Sequence, residues 1–110
     1  MVESPFGEPL GSGLFATLVA IRRLAVQQRV RLTFKASCEL DQLGLGIDTT
    51  DVCDVLARLV PKESRGRVRS KVTGDWLHVF GVRILDLRVY IKVAVGEECV
   101  VVSFHEEDGG

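Results

Sequence analysis

The spacing of apolar residues changes once along this chain, at Pro61, and that change decides its fold class. Before Pro61 the pattern is helical. Leu14, Leu18, Ile21, Leu24 and Ala25 recur at intervals near three and four, as do Val52, Val55, Leu56 and Leu59. After it the period falls to two, most clearly over residues 76–84, 87–95 and 99–105, as in half-buried strands. Helices that come first, followed by strands joined through short turns, pack as two layers. The expectation is an α+β fold, with N-terminal helices on one face of a mostly antiparallel C-terminal sheet. A chain of 110 residues supports one such core, not two.

Local signals place the elements. Pro5, Gly7, Pro9, Gly11 and Gly13 mark residues 1–13 as a loose leader, with Ser12 as the N-cap of a helix running to about Gln28. Residues 30–33 read as a short extended piece. Thr33 then caps a helix over 34–43, with Gly44 in the left-handed position that ends it. Asp48 or Thr49 opens a third helix, which Pro61 closes by about Leu59. Residues 67–72 alternate weakly, a bulge is expected at Gly81, and Gly96-Glu97-Glu98 turns the last hairpin. The domain spans residues 14–106, and 107–110 form an acidic, glycine-ended tail.

Alternation then sorts side chains onto faces. In one strand Leu87, Val89, Ile91, Val93 and Val95 point one way, and Arg88, Tyr90 and Lys92 the other. In the last strand Val100, Val102 and Phe104 are expected inward, and Cys99, Val101, Ser103 and His105 outward. Tyr90, Lys92, Ser103 and His105 therefore share an outer face. Metal-free cleavage of RNA needs a base for the 2′-OH, cations for the charged phosphorane and an acid for the leaving oxygen. This face carries residue types that can supply all three. It is equally what any solvated sheet face looks like. His78 is either a hydrogen-bonded structural histidine or a base, and Trp76 is packing rather than a stacking platform. Lys62, Arg65, Arg67, Arg69 and Lys71 either hold phosphates or keep a strand edge charged. Arg22 and Arg23 read as plain surface.

The formal net charge of −1 exerts no global pull on nucleic acid or membrane, but charge is blocked along the chain. Residues 22–35 carry only basic charges, 39–54 only acidic ones, and 62–92 mostly basic ones. Cys38, Cys53 and Cys99 have no metal-ligand spacing, so free thiols are expected, with no metal and no cofactor. The apolar run over 14–21 is too short to span a bilayer and has no basic segment before it. The expectation is a cytoplasmic protein without a membrane partner.

Several stretches, in order, resemble the MqsR (motility quorum-sensing regulator) family of bacterial toxins, which have a RelE-like, mRNA-cleaving fold. They are Val30-Arg31-Leu32-Thr33, Leu43-Gly44-Leu45 with Asp48, Val52-Cys53-Asp54-Val55-Leu56, Arg69-Ser70, and Trp76 with Val79-Phe80. The set ends in Val89-Tyr90-Ile91-Lys92 and Val101-Val102-Ser103-Phe104-His105-Glu106, so it covers residues 18–106. The resemblance implies a type II toxin: a metal-independent, sequence-selective endoribonuclease leaving 2′,3′-cyclic phosphate ends. It implies mRNA as substrate, and an antitoxin with zinc-binding and helix-turn-helix domains as partner. The family's lysine before serine matches Arg69, its tyrosine matches Tyr90, and its lysine after Ser-Phe is replaced by His105. Its glutamine after the tryptophan falls on Leu77, which has no polar chemistry. The expected catalytic set is therefore Arg69, Tyr90 and His105, with His78 in reserve. Arg67, Lys71, Lys92 and Arg88 are expected to bind RNA. The alternative is a module of the same fold that binds RNA or antitoxin without cleaving.

Overall fold

Residues 10–107 are described by the computed structural model. Their order is α1 (Leu10–Val26), β1 (Val30–Leu32), α2 (Phe34–Leu43), α3 (Thr49–Ala57), a 3-10 turn (Pro61–Glu63), β2 (Ser64–Arg69), β3 (Trp76–Ile84), β4 (Leu87–Val95) and β5 (Cys99–Glu106). The fold is α+β, as the change of period at Pro61 requires.

Capping chemistry sets the ends of α2 and α3. Thr33 Oγ1 accepts the Ala36 N–H at 3.1 Å, and Gly44 closes α2 at a φ of 68°, where a side chain would be strained. Asp48 and Asp51 exchange bonds at the start of α3, each carboxylate taking the other's backbone N–H at 3.0 and 2.9 Å. The start of α1 differs from expectation. The helix begins at Leu10, so Ser12 lies inside it and Gly11 and Gly13 are helical. Each glycine costs a helix about 1 kcal/mol. Burial of Leu18, Ile21, Leu24 and Ala25 outweighs that cost. Residues 1–9 of the expected leader lie outside the described residues. Arg22 is not plain surface either: it is half-buried, and its Nε donates to the Leu59 carbonyl at 2.8 Å, with Nη2 on the same oxygen. That carbonyl belongs to the chain leaving α3, so Arg22 ties the first helix to the third.

The sheet has the order β1-β5-β4-β3-β2, an antiparallel meander from β2 to β5 with β1 added parallel to β5. The helices cover one side. Phe80, Val82, Ile84, Val89, Ile91, Val93, Cys99, Val101 and Phe104 meet Leu18, Ile21, Leu40, Val52, Leu56 and Leu59 there.

Two bulges decide which side chains join that core. In β5, Ser103 faces Lys92 and Val101 faces Val93, leaving Val102 without a partner. An extra residue shifts the phase of a strand by one. Cys99 and Val101 therefore point into the core before the bulge, and Phe104 after it. The expected inward Val100 and Val102 are only half-buried, Val100 standing opposite Ala94 on the other side. In β2, Ser64 faces Phe80 while Arg67 faces His78, so three steps along β2 match two along β3. Gly66, at a φ of 90°, takes up the difference. No bulge occurs at Gly81, where β3 pairs with β4 without interruption from His78 to Ile84. The strand expected over 67–72 begins earlier, at Ser64, and gives way after Arg69 to a turn.

Cys38, Cys53 and Cys99 are free, and burial pushes the Cys99 thiol up to about 12. Among the described residues no helix is long and apolar enough to cross a membrane.

Candidate functional site

The β4–β5 ladder assembles the candidate site. Tyr90 stands directly opposite His105, and Lys92 opposite Ser103, on the sheet face away from the helices. His105 is exposed, Tyr90 and Lys92 are half-buried, and Ser103 is 3% exposed. The neighbouring strand β3 places Val79 opposite Lys92 and Gly81 opposite Tyr90. Leu77 stands two residues before Val79, opposite Val68, so this apolar residue shares the face.

Gly81 has a specific use here. A Cβ at that position would lie 3.1 Å from Arg65 Nη2 and 3.2 Å from its Cζ and Nε. The Arg65 guanidinium occupies the room a side chain would take, directly over the residue paired with Tyr90. Its Nη1 donates to the carbonyls of Lys62 at 3.1 Å and Ser64 at 3.2 Å, which fixes it in place. Sequence reasoning places Arg65 only within the basic run that either holds phosphates or charges a strand edge, and does not single it out. Gly81 reads in the sequence as a bulge rather than as space for a neighbour.

A second unselected residue is Glu39 on α2. Pairing of β1 with β5 stops at Val101, so Phe104 presents its N–H with no strand beside it. Glu39 Oε1 accepts that N–H at 2.8 Å. Its Oε2 takes Lys35 Nζ at 2.8 Å and stands 3.7 Å from His105 Nδ1, which is also 3.3 Å from Ser103 Oγ. Burial alone pushes the Glu39 carboxyl up. The Lys35 and Phe104 hydrogen bonds, with the charges of Lys35 and His105, outweigh that and hold it below its ordinary value.

Tyr90, His105, Glu106 and Glu107 line an open depression of about 500 Å³. Glu107 is tied back to Arg88, its N–H donating to the Arg88 carbonyl at 2.7 Å and its carboxylate lying 3.8 Å from Nη1. Arg88 stays on this face opposite Arg83, toward the far end of the ladder.

The other expected site residues stand elsewhere. Arg67 faces His78 and Arg69 faces Trp76, on the side of the sheet that carries Phe80 and Ile91. Both guanidinium groups lie on the Trp76 ring, 4.1 and 4.4 Å from its centroid. Trp76 is 40% exposed, so it is neither core nor simple edge packing. His78 is half-buried, and burial, then the charge of Arg67, lower its pKa. Lys71 is exposed in the turn between β2 and β3. The bulge at Gly66 explains the division: strict alternation would put Arg65 and Arg67 on one face, and the extra residue puts them on two.

Among the described residues no cluster of His, Cys, Asp and Glu is arranged to hold a metal ion. No protein-family model matches this chain, and no curated protein matches it.

Proposed function

We propose that this protein is a metal-independent endoribonuclease acting on mRNA in the cytoplasm, the toxin of a type II pair of the MqsR kind. The observation that carries the reading is the Tyr90–His105 cross-strand pair, flanked by the Arg65 guanidinium on one side and Lys92 on the other. In this mechanism His105 takes the proton from the 2′-OH, and the 2′-oxygen bonds to phosphorus. Arg65 and Lys92 hold the phosphorane charge. The P–O5′ bond then breaks, and Tyr90 protonates the departing 5′-oxygen. The products are a 2′,3′-cyclic phosphate and a 5′-hydroxyl. Glu39 orients His105 from the edge of the sheet. His78, Arg67 and Arg69 are outside this centre, because they stand on the opposite side.

The test is incubation of purified protein with mixed RNA in a chelator, followed by mapping of the new ends. Cyclic-phosphate ends are expected, falling by roughly 10²–10⁴-fold in His105→Ala, as for loss of a proton-transfer group. Intact RNA at high enzyme concentration would sink the proposal.

A second reading follows from Leu77, which stands on the site's face where the resemblance implies a glutamine, and from Glu106 at the depression. It is a module that binds RNA or an antitoxin with zinc-binding and helix-turn-helix domains, without cleaving. Its mark is partner binding that survives Tyr90→Phe with His105→Ala.

A further inference from the structure

The turn end of the β2–β3 hairpin carries chemistry that the Tyr90–His105 centre does not use. Trp76 is the protein's sole tryptophan and is stacked by two arginines that have no ion-pair partner among the described residues. α1 packs on β4 and β5, and α2 on β5 and β1, so this end of the sheet's helix side stays open to solvent. β2 is also the free edge of the sheet.

The cluster is held in shape by its own turn. Arg69 Nη1 donates to the Gly74 carbonyl at 2.8 Å, and the Ser70 N–H to the Asp75 carbonyl at 2.8 Å. The Ser70 hydroxyl takes the N–H groups of Val72 and Thr73, both at 3.2 Å. A guanidinium held over an indole keeps N–H donors that can meet phosphate oxygens. A partly exposed ring beside it offers a base a stacking surface. Over residues 62–71 there are five cations, Lys62, Arg65, Arg67, Arg69 and Lys71, against Glu63 alone. The Glu63 carboxylate already accepts the Val60 N–H at 3.0 Å.

We infer that the Arg67–Trp76–Arg69 cluster is a second binding surface for single-stranded RNA, holding the part of the strand that lies outside the cleaved bond. The inference rests on the RNA reading above and extends it. Arg65 sits on the Tyr90 face and Arg67 on the other, one bulge apart. A strand leaving Tyr90 past Arg65 therefore crosses the free β2 edge over continuous positive charge and arrives at Trp76. His78 stands opposite Arg67 on this side, half-buried, with burial and then the Arg67 charge lowering its pKa. An acidic protein segment is the competing occupant. The ring favours RNA, since every nucleotide brings an aromatic base to stack on it and Asp and Glu bring none.

The experiment uses a 2′-O-methyl oligouridine, which cannot be cleaved because its 2′-oxygen is blocked. Trp76 emission reports the cluster directly, and anisotropy of labelled oligonucleotide reports total binding. Saturable quenching is expected at the midpoint of binding. Arg67→Gln with Arg69→Gln should weaken binding roughly tenfold, and lower the salt slope by about 0.7 for each phosphate left unneutralised. Tyr90→Phe with His105→Ala should leave the quenching in place. Binding without any change in Trp76 emission overturns the inference, as does affinity unaltered in the double arginine variant. Quenching by polyglutamate at the same midpoint overturns it in favour of an acidic protein. The two failures are distinguishable: quenching without RNA cleavage sinks the nuclease reading alone, and cleavage without quenching sinks this one alone.

Discussion

Replacing Glu39 with alanine is expected to destabilise the protein by about 2 kcal/mol, and most of that comes from one backbone group. Phe104 is fully buried, and its N–H has no strand beside it because β1 ends short. Removing the Glu39 acceptor at 2.8 Å leaves a part-buried donor unsatisfied, which costs about 1–3 kcal/mol. The Lys35–Glu39 pair, one helical turn apart with Lys35 exposed, adds only about 0.3–0.5 kcal/mol. Glu39→Gln keeps an acceptor for the N–H and loses the charge, so it should recover more than half of the loss. pH supplies an independent check. The folded protein holds this carboxyl below its ordinary value. Stability from a depressed carboxylate is present above the unfolded pKa and is lost as pH falls through the folded one. On acidification from about pH 6 to about pH 3, wild type should therefore lose stability that Glu39→Gln does not, and the gap between them should narrow. Urea denaturation of wild type, Glu39→Gln and Glu39→Ala at both pH values measures all of this. Equal midpoints for the two variants would refute the role given to the Phe104 bond. A gap that does not change with pH would refute the role given to the charge.

Two further outcomes follow from the sheet geometry. Gly81→Ala brings a Cβ within 3.1 Å of the Arg65 guanidinium and should displace it, lowering RNA cleavage by the same factor as Arg65→Gln while the melting temperature moves little. Unchanged cleavage in both variants would remove Arg65 from the site. Deletion of Val102 leaves every other β4–β5 partnership intact and should give a folded protein that retains the Tyr90–His105 pair. Thermal unfolding and RNA cleavage would report both, and loss of the cooperative transition would refute the placing of the extra residue in this strand.

The fold class was legible because it rests on periods that persist over many residues. The caps at Thr33, Gly44 and Asp48 were legible because each acts within four residues of chain. The shared face of Tyr90, Lys92, Ser103 and His105 was also legible, but for a partly mistaken reason. Alternation sets the face of residues 103–105 correctly except at the core position it assigns before them, and that of residues 99–101 wrongly, because the phase slips at Val102. Nothing in Val101-Val102 marks the slip, since either valine satisfies a core position. Gly66 marks the other slip, but a strand glycine signals a bulge only when its φ is known. The role of Glu39, and the place of Arg65 within its basic run, were out of reach for a different reason. Each acts through a contact between elements distant in sequence, Glu39 with Phe104 and Arg65 with Gly81, and no local pattern encodes such a meeting.

Glu39 couples the fold to the candidate chemistry in a way neither face of the sheet could alone. α2 packs against β5, and Glu39 on it reaches the stretch of β5 beyond the pairing with β1. A side chain from it can therefore meet an in-plane N–H with one oxygen and reach toward the outer face with the other. Oε1 completes the hydrogen bonding of a core residue, Phe104, while Oε2 stands 3.7 Å from the next residue's imidazole. Two consecutive residues of β5, one facing the core and one facing the site, are thus held by a single carboxylate. Lys35 shares that carboxylate and sits in solvent, so the charge it supplies keeps Glu39 ionised without entering the site. A loosened β5 edge must then move Phe104 and His105 together. Stability and the placement of His105, the proposed proton-transfer group, should fall in parallel in Glu39→Ala. In Glu39→Gln they should separate, because the amide retains the backbone bond but not the charge beside His105.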